Sequence, residues 1–151
     1  MEEHAENSVI EDCMFIGVGT QAADILNGLN IAIRNNVFDQ RNATNSAAYT
    51  VIDAEPNLDT DSLENITIEG NTIYLPQDDF SRTPYGIVVQ AGPTDSVKNV
   101  VVRNNTILGT QILPTPVAAS PWVSAILFVG VVEGQIYDNH LSSEQPRGTA
   151  P

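Results

Sequence analysis

One nine-residue pattern occurs five times along the chain, at residues 7–15, 30–38, 65–73, 99–107 and 133–141. The copies begin at Asn7, Asn30, Asn65, Asn99 and Glu133, so their starts lie 23, 35, 34 and 34 residues apart. Within a copy, apolar residues alternate, two polar residues intervene, and the apolar phase resumes. That is a period-two strand, a bend and the start of a second strand. Self-similarity at this period is the mark of a solenoid, in which no single copy can bury its own apolar residues and successive copies must stack.

Stacking the copies creates columns. Ile10, Ile33, Ile68, Val102 and Ile136 form one inward column, and Phe15, Phe38, Ile73, Ile107 and Leu141 form another. The bend column is Cys13, Asn36, Asn71, Asn105 and Asn139. Asparagine tolerates the left-handed backbone that a sharp bend requires, and side-chain amides one strand apart can donate and accept along the column. The expectation is therefore a structural ladder of Asn36, Asn71, Asn105 and Asn139, with its members left-handed. Just before the bend an outward column reads Glu11, Arg34, Glu69, Arg103, Tyr137. Opposite charges across neighbouring strands are mildly favourable, so this alternation supports the register.

A further strand family lies between the copies, at 49–53, 86–90 and 124–128, with a shorter relative at 23–26. Three strands per coil follow. The fold expected is all-β, a right-handed parallel β-helix of about five coils, forming a single domain over 1–151 that is either whole or a piece of a longer chain. The repeat Asn-ϕ-x-ϕ-x-x-Asn-x-ϕ, where ϕ is apolar, resembles that of the pectate-lyase-like right-handed parallel β-helix superfamily over about residues 7–141. That resemblance implies the fold. It leaves the activity open, because the superfamily includes pectate lyases, polygalacturonases, alginate lyases and epimerases, phage tailspikes and modules with no known reaction.

Nineteen acidic against six basic side chains give a net charge of −13, which opposes binding to a phosphate backbone or an anionic lipid surface. Neither nucleic acid nor membrane is an expected partner. No apolar run approaches the ~20 residues of a membrane span; the longest, Val123 to Val132, is broken at Ser124 and Gly130. Cys13 is the only cysteine, which excludes an intrachain disulfide. The first six residues carry no signal-peptide pattern. The placement expected is extracellular, or on a phage or cell surface.

Three copies are lengthened by an insertion at one phase, at 39–48, 75–85 and 109–123. Insertions at one phase of a solenoid emerge on one face, often the binding face. The loops carry Arg41, Phe80, Tyr85 and Trp122 as candidate ligand-binding residues, a mixture of aromatic surface and hydrogen-bonding charge suited to a sugar chain. Asp78, Asp79 and Arg82 are the candidate catalytic residues. In β-helical polygalacturonases the resemblance implies an aspartate pair accompanied by Gly-His-Gly and Arg-x-Lys segments, and the chain has neither. His140, one of two histidines with His4, reads as a strand-surface residue.

Pectate-lyase chemistry would require calcium. Asp53, Glu55, Asp59 and Asp61 could supply its oxygen ligands, although the stretch reads first as a solvated acidic turn, so that no cofactor is expected and calcium is the cation to test. Gly17 to Ala22 matches a dinucleotide fingerprint in letters alone and reads as a turn, since a strand rather than a helix follows. The leading functional expectation is a non-catalytic carbohydrate-recognition or structural module with polysaccharide as partner. The alternatives are a lyase or epimerase acting on an acidic glycan, and a purely structural stalk. Neither end shows a capping helix, so association through uncapped ends or through lateral contacts is also expected.

Overall fold

The computed structural model describes residues 4–18, 21–41, 50–58, 60–75, 85–92, 94, 96–109 and 125–142, and every regular element among them is a strand. These strands form three sheets in which all pairings are parallel and neighbours follow chain order. The first sheet contains β1 (Ala5–Glu6), β2 (Val9–Glu11), β5 (Gly28–Arg34), β8 (Ser62–Glu69), β11 (Ser96–Arg103) and β14 (Gln135–Tyr137). The second contains β3 (Met14–Ile16), β6 (Val37–Asp39), β9 (Thr72–Tyr74), β12 (Thr106–Leu108) and β15 (His140–Ser142). The third contains β4 (Ala23–Ile25), β7 (Thr50–Ala54), β10 (Tyr85–Gln90) and β13 (Ile126–Val129). The chain visits the sheets in turn, an architecture compatible with a parallel β-helix or related solenoid.

The columns read from the sequence are in register. Ile10 pairs with Ile33, Ile33 with Ile68, Ile68 with Val102, and Val102 with Ile136. In the second sheet Phe15, Phe38, Ile73, Ile107 and Leu141 are likewise aligned, and the Phe15 and Phe38 rings stack with centroids 4.8 Å apart. Ile33, Ile68, Val102, Phe38, Ile73 and Ile107 are fully buried. The third sheet closes the core with Ile52, Ala54, Ile87 and Val89.

The ladder is present, but its conformation corrects the expectation. The bend asparagines are not left-handed. The residue before each bend position, Cys13 included, is: Asp12, Asn35, Gly70, Asn104 and Asp138 have φ between 53° and 65°. That residue makes the turn, which frees the following asparagine to point inward, where Asn36, Asn71 and Asn105 are buried. At Gly70, whose φ is 65°, a Cβ would lie 2.6 Å from Asn35 Oδ1, so the exposed Asn35 side chain would have to turn aside for any larger residue.

A second asparagine row opens the copies, and its backbone conformation is not evident from the sequence pattern. Asn7, Asn30, Asn65 and Asn99, the first residues of the copies, are also left-handed, with φ of 51–58°. Their exposed amides connect outside the sheet. Asn30 Nδ2 donates to Asn7 Oδ1 at 2.9 Å, Asn65 Nδ2 to Asn30 Oδ1 at 2.8 Å, and Asn99 Nδ2 to Asn65 Oδ1. Glu133 takes the same position in the last copy with φ of 58°. Left-handed backbone favours asparagine over glutamate, and an amide there could donate to Asn99. Glu133→Asn is expected to raise stability by about 0.5–1.5 kcal/mol, from relief of backbone cost and one added hydrogen bond. A denaturant titration giving equal or lower stability would contradict this.

Candidate ligand-binding face

All three insertions join a strand of the second sheet to a strand of the third, β6 to β7, β9 to β10 and β12 to β13. Their feet therefore share one edge of the solenoid. Asp78, Asp79, Arg82, Phe80, Trp122 and Asp59 lie outside the described residues. Arg41 and Tyr85 lie within them, Arg41 two residues beyond β6 and Tyr85 as the first residue of β10, in register with Thr50.

Arg41 is held from two sides. Its Nε donates to Asp39 Oδ1 at 2.8 Å and its Nη2 pairs with Asp39 Oδ2. Its guanidinium carbon sits 4.6 Å from the centroid of the Tyr74 ring. Register explains the contact, because Asp39 and Tyr74 are outward neighbours on β6 and β9, so a side chain anchored on the one covers the other. The Arg41 hydrogen bonds hold the Asp39 carboxyl below its ordinary pKa, outweighing its partial burial. The result is a fixed cation stacked on an aromatic ring, about 29% exposed, at the foot of the first long insertion. Beside it Gln40 turns inward and is buried, with neither atom of its side-chain amide hydrogen-bonded among the described residues.

The acidic stretch does not behave as a solvated turn. Asp53 is in β7, 6% exposed, and Asp61 is 7% exposed. Asp53 Oδ2 accepts from Gln21 Nε2 at 2.8 Å, and Glu55 Oε1 accepts from Gln90 Nε2 at 2.8 Å. Asp61 instead accepts from Asn27 Nδ2 and from the Leu58 amide. The described carboxylates thus have separate partners, and no group of three or more His, Cys, Asp or Glu among the described residues is arranged to hold a metal ion.

Asp53 has another neighbour that the sequence pattern did not bring forward. Asp24 on β4 is its register partner, so two carboxyl groups face the same way on adjacent strands, roughly 4.8 Å apart at the backbone. Burial pushes the Asp53 carboxyl above its ordinary range, against the Gln21 hydrogen bond, and Asp53 Oδ1 has no hydrogen-bond partner. Asp24 is also raised, first by burial and then by the Asp53 charge. The signal is nonetheless in the sequence: aligning the third strand family column by column, like the first two, puts Asp24 level with Asp53.

The outward charge column carries the expected pairs. Arg34 Nε lies 2.7 Å from Glu11 Oε2, and Arg103 Nη2 lies 2.6 Å from Glu69 Oε2. Arg103 also donates to the Tyr137 hydroxyl at 3.0 Å. His140 opens β15 in register with Thr106, an exposed strand position. Comparison with family models, with curated proteins and with solved structures gives no match for this chain. Its own residues therefore carry whatever can be said of its function.

Proposed function

We propose that this chain is a right-handed parallel β-helix of about five coils, of the pectate-lyase-like kind, that binds polysaccharide on its loop-bearing edge without turning it over. Such a module belongs outside the cell or on a phage or cell surface. The observation that carries the reading is the Asp39–Arg41–Tyr74 group. Sugar recognition uses fixed hydrogen-bond donors, and here the guanidinium is already ordered by an ion pair and by stacking over the Tyr74 ring, so little side-chain entropy is lost when a ligand arrives.

The Asp24–Asp53 pair favours a second, catalytic reading. Carboxyl groups with displaced pKa values are what acid–base chemistry on a glycan uses. One assay separates these readings from a structural stalk: the purified chain is incubated with neutral and uronic-acid glycans, with and without calcium. Binding without products, weakened about tenfold in Arg41→Ala, a loss of ~1.4 kcal/mol, is the expected result. Unsaturated, ultraviolet-absorbing ends or an inverted sugar configuration would establish an enzyme instead. Absence of binding to every glycan would leave the stalk.

A further inference from the structure

We infer that copies of this chain associate head to tail, the N-terminal end of one stacking on the C-terminal end of the next through the first and second sheets. Exposure changes sharply along single columns. Ile33, Ile68 and Val102 are fully buried, yet Ile10 and Ile136, at the two ends of that column, are 36% and 48% exposed. In the adjacent column Phe38, Ile73 and Ile107 are fully buried, while Leu141 is 50% exposed and Phe15 is only half-buried. The terminal residues are of the same kind as the internal ones and differ in lacking, among the described residues, a neighbour on one side. At the C-terminal end they line an open concavity of about 360 Å³ bounded by Ile126, Ile136, Tyr137, Asp138, Asn139 and Leu141.

The opposite end of a second copy supplies what each exposed position lacks. Continuing the internal register by one step sets Ile10 on Ile136 and Phe15 on Leu141, restoring both apolar columns. It also sets Glu11 on Tyr137, whose hydroxyl is already bonded to Arg103, so the carboxylate meets a donor and a nearby cation. Asn7 comes above Glu133, where its amide can donate to the carboxylate as Asn30 does to Asn7. The strand edges complement each other as well, since among the described residues β2 pairs in parallel with β5 alone and β14 in parallel with β11 alone, each leaving its other edge for a parallel strand.

Two features make this junction weaker than an internal rung. Cys13 brings a thiol where the buried ladder has an amide, so the Asn139 backbone N–H meets a poor acceptor. Asp12 and Asp138 come into register as like charges, which salt would screen. A heterologous contact of this sort does not close on itself, so it yields an open series of oligomers rather than a fixed dimer.

Sedimentation velocity on the 151-residue chain tests this. The expected result is a mean mass that rises past the dimer with concentration and rises further in added salt. A monomer throughout, or a dimer that grows no larger, would overturn the inference. Ile10→Asp and Ile136→Asp each damage one end at an exposed position, and circular dichroism checks that both fold. Each alone should be monomeric, with self-association weakened about tenfold or more, a loss of ~1.4 kcal/mol or greater. Mixed, they should form a one-to-one dimer and nothing larger, because each keeps one intact end. Self-dimerisation of either variant alone would show like ends meeting and would also overturn the head-to-tail arrangement.

Discussion

Asn71→Ala is expected to destabilise the fold by roughly 2–6 kcal/mol, since it removes four hydrogen bonds from a buried site at about 0.5–1.5 kcal/mol each. Asn71 uses every hydrogen-bonding capacity of its amide. Nδ2 donates to the Ile33 carbonyl at 2.9 Å and to Asn105 Oδ1 at 3.0 Å. Oδ1 accepts from the backbone N–H of Asn36 at 3.0 Å and from Asn36 Nδ2 at 3.1 Å. The bend puts the Asn36 N–H beyond the end of β5, where this one side chain satisfies it while also donating to the Ile33 carbonyl. Truncation removes all four bonds in a site that is 1% exposed. Such a loss is a large share of the ~5–15 kcal/mol that holds a domain together. Asn139 makes the equivalent bonds to Val102 and Asn105 at an exposed end, where water can replace them, so Asn139→Ala should cost about 1 kcal/mol. Urea titrations of both variants check the contrast. Equal costs at the two positions, or a cost below about 1 kcal/mol at Asn71, would mean that the ladder is replaceable by water.

The same residues show what is legible in the sequence. A column of four asparagines repeating in step with two apolar columns has few physical explanations, so the stacked parallel strands and their register follow from pattern alone. Where the left-handed residue sits does not follow, because Asn35 and Asn36, and again Asn104 and Asn105, are adjacent asparagines that pattern cannot tell apart. Gly70 is the available clue, being the one residue of that phase with no side chain. The exposed row of Asn7, Asn30, Asn65 and Asn99 is visible as the start of each copy, but its backbone conformation is not. Of the candidate site, Arg41 stands out as a loop residue suited to sugars. Its partners Asp39 and Tyr74 do not, since their proximity arises from strand pairing across 35 residues. Asp53 reads as a water-facing ligand because composition carries the charge of a stretch and not its burial.

That burial sets up the second large effect. Asp53→Asn is expected to make the protein more stable at pH 7, by about 1–3 kcal/mol, the cost of keeping a charged, partly unpaired group out of water. Among the described residues, the groups facing Asp53 are Gln21, which donates to Oδ2, Asp24 on one neighbouring strand, Val88 on the other, and Glu55 two residues along the chain. None of these is a cation. Because burial raises the folded pKa above its unfolded value of about 3.9, the native state holds more protons than the unfolded chain between those two values. Stability from this group is therefore full below the unfolded pKa and is lost as pH rises through the folded one. Asp24 is raised as well and adds a loss of the same sign. Asp39, lowered by Arg41, has the opposite sign, its contribution being present above the unfolded pKa and lost as pH falls through the folded one. The amide introduced by Asp53→Asn would carry no charge at any pH, could still accept from Gln21, and could donate across the rung to Asp24. The variant's advantage over the wild type should be largest near neutrality and shrink towards zero below about pH 4. Stability curves for the two proteins measured from about pH 3 to pH 8 give the answer. An advantage that does not change with pH would trace the effect to packing rather than to ionisation, and a variant less stable at pH 7 would mean that the Asp53 charge has a stabilising partner.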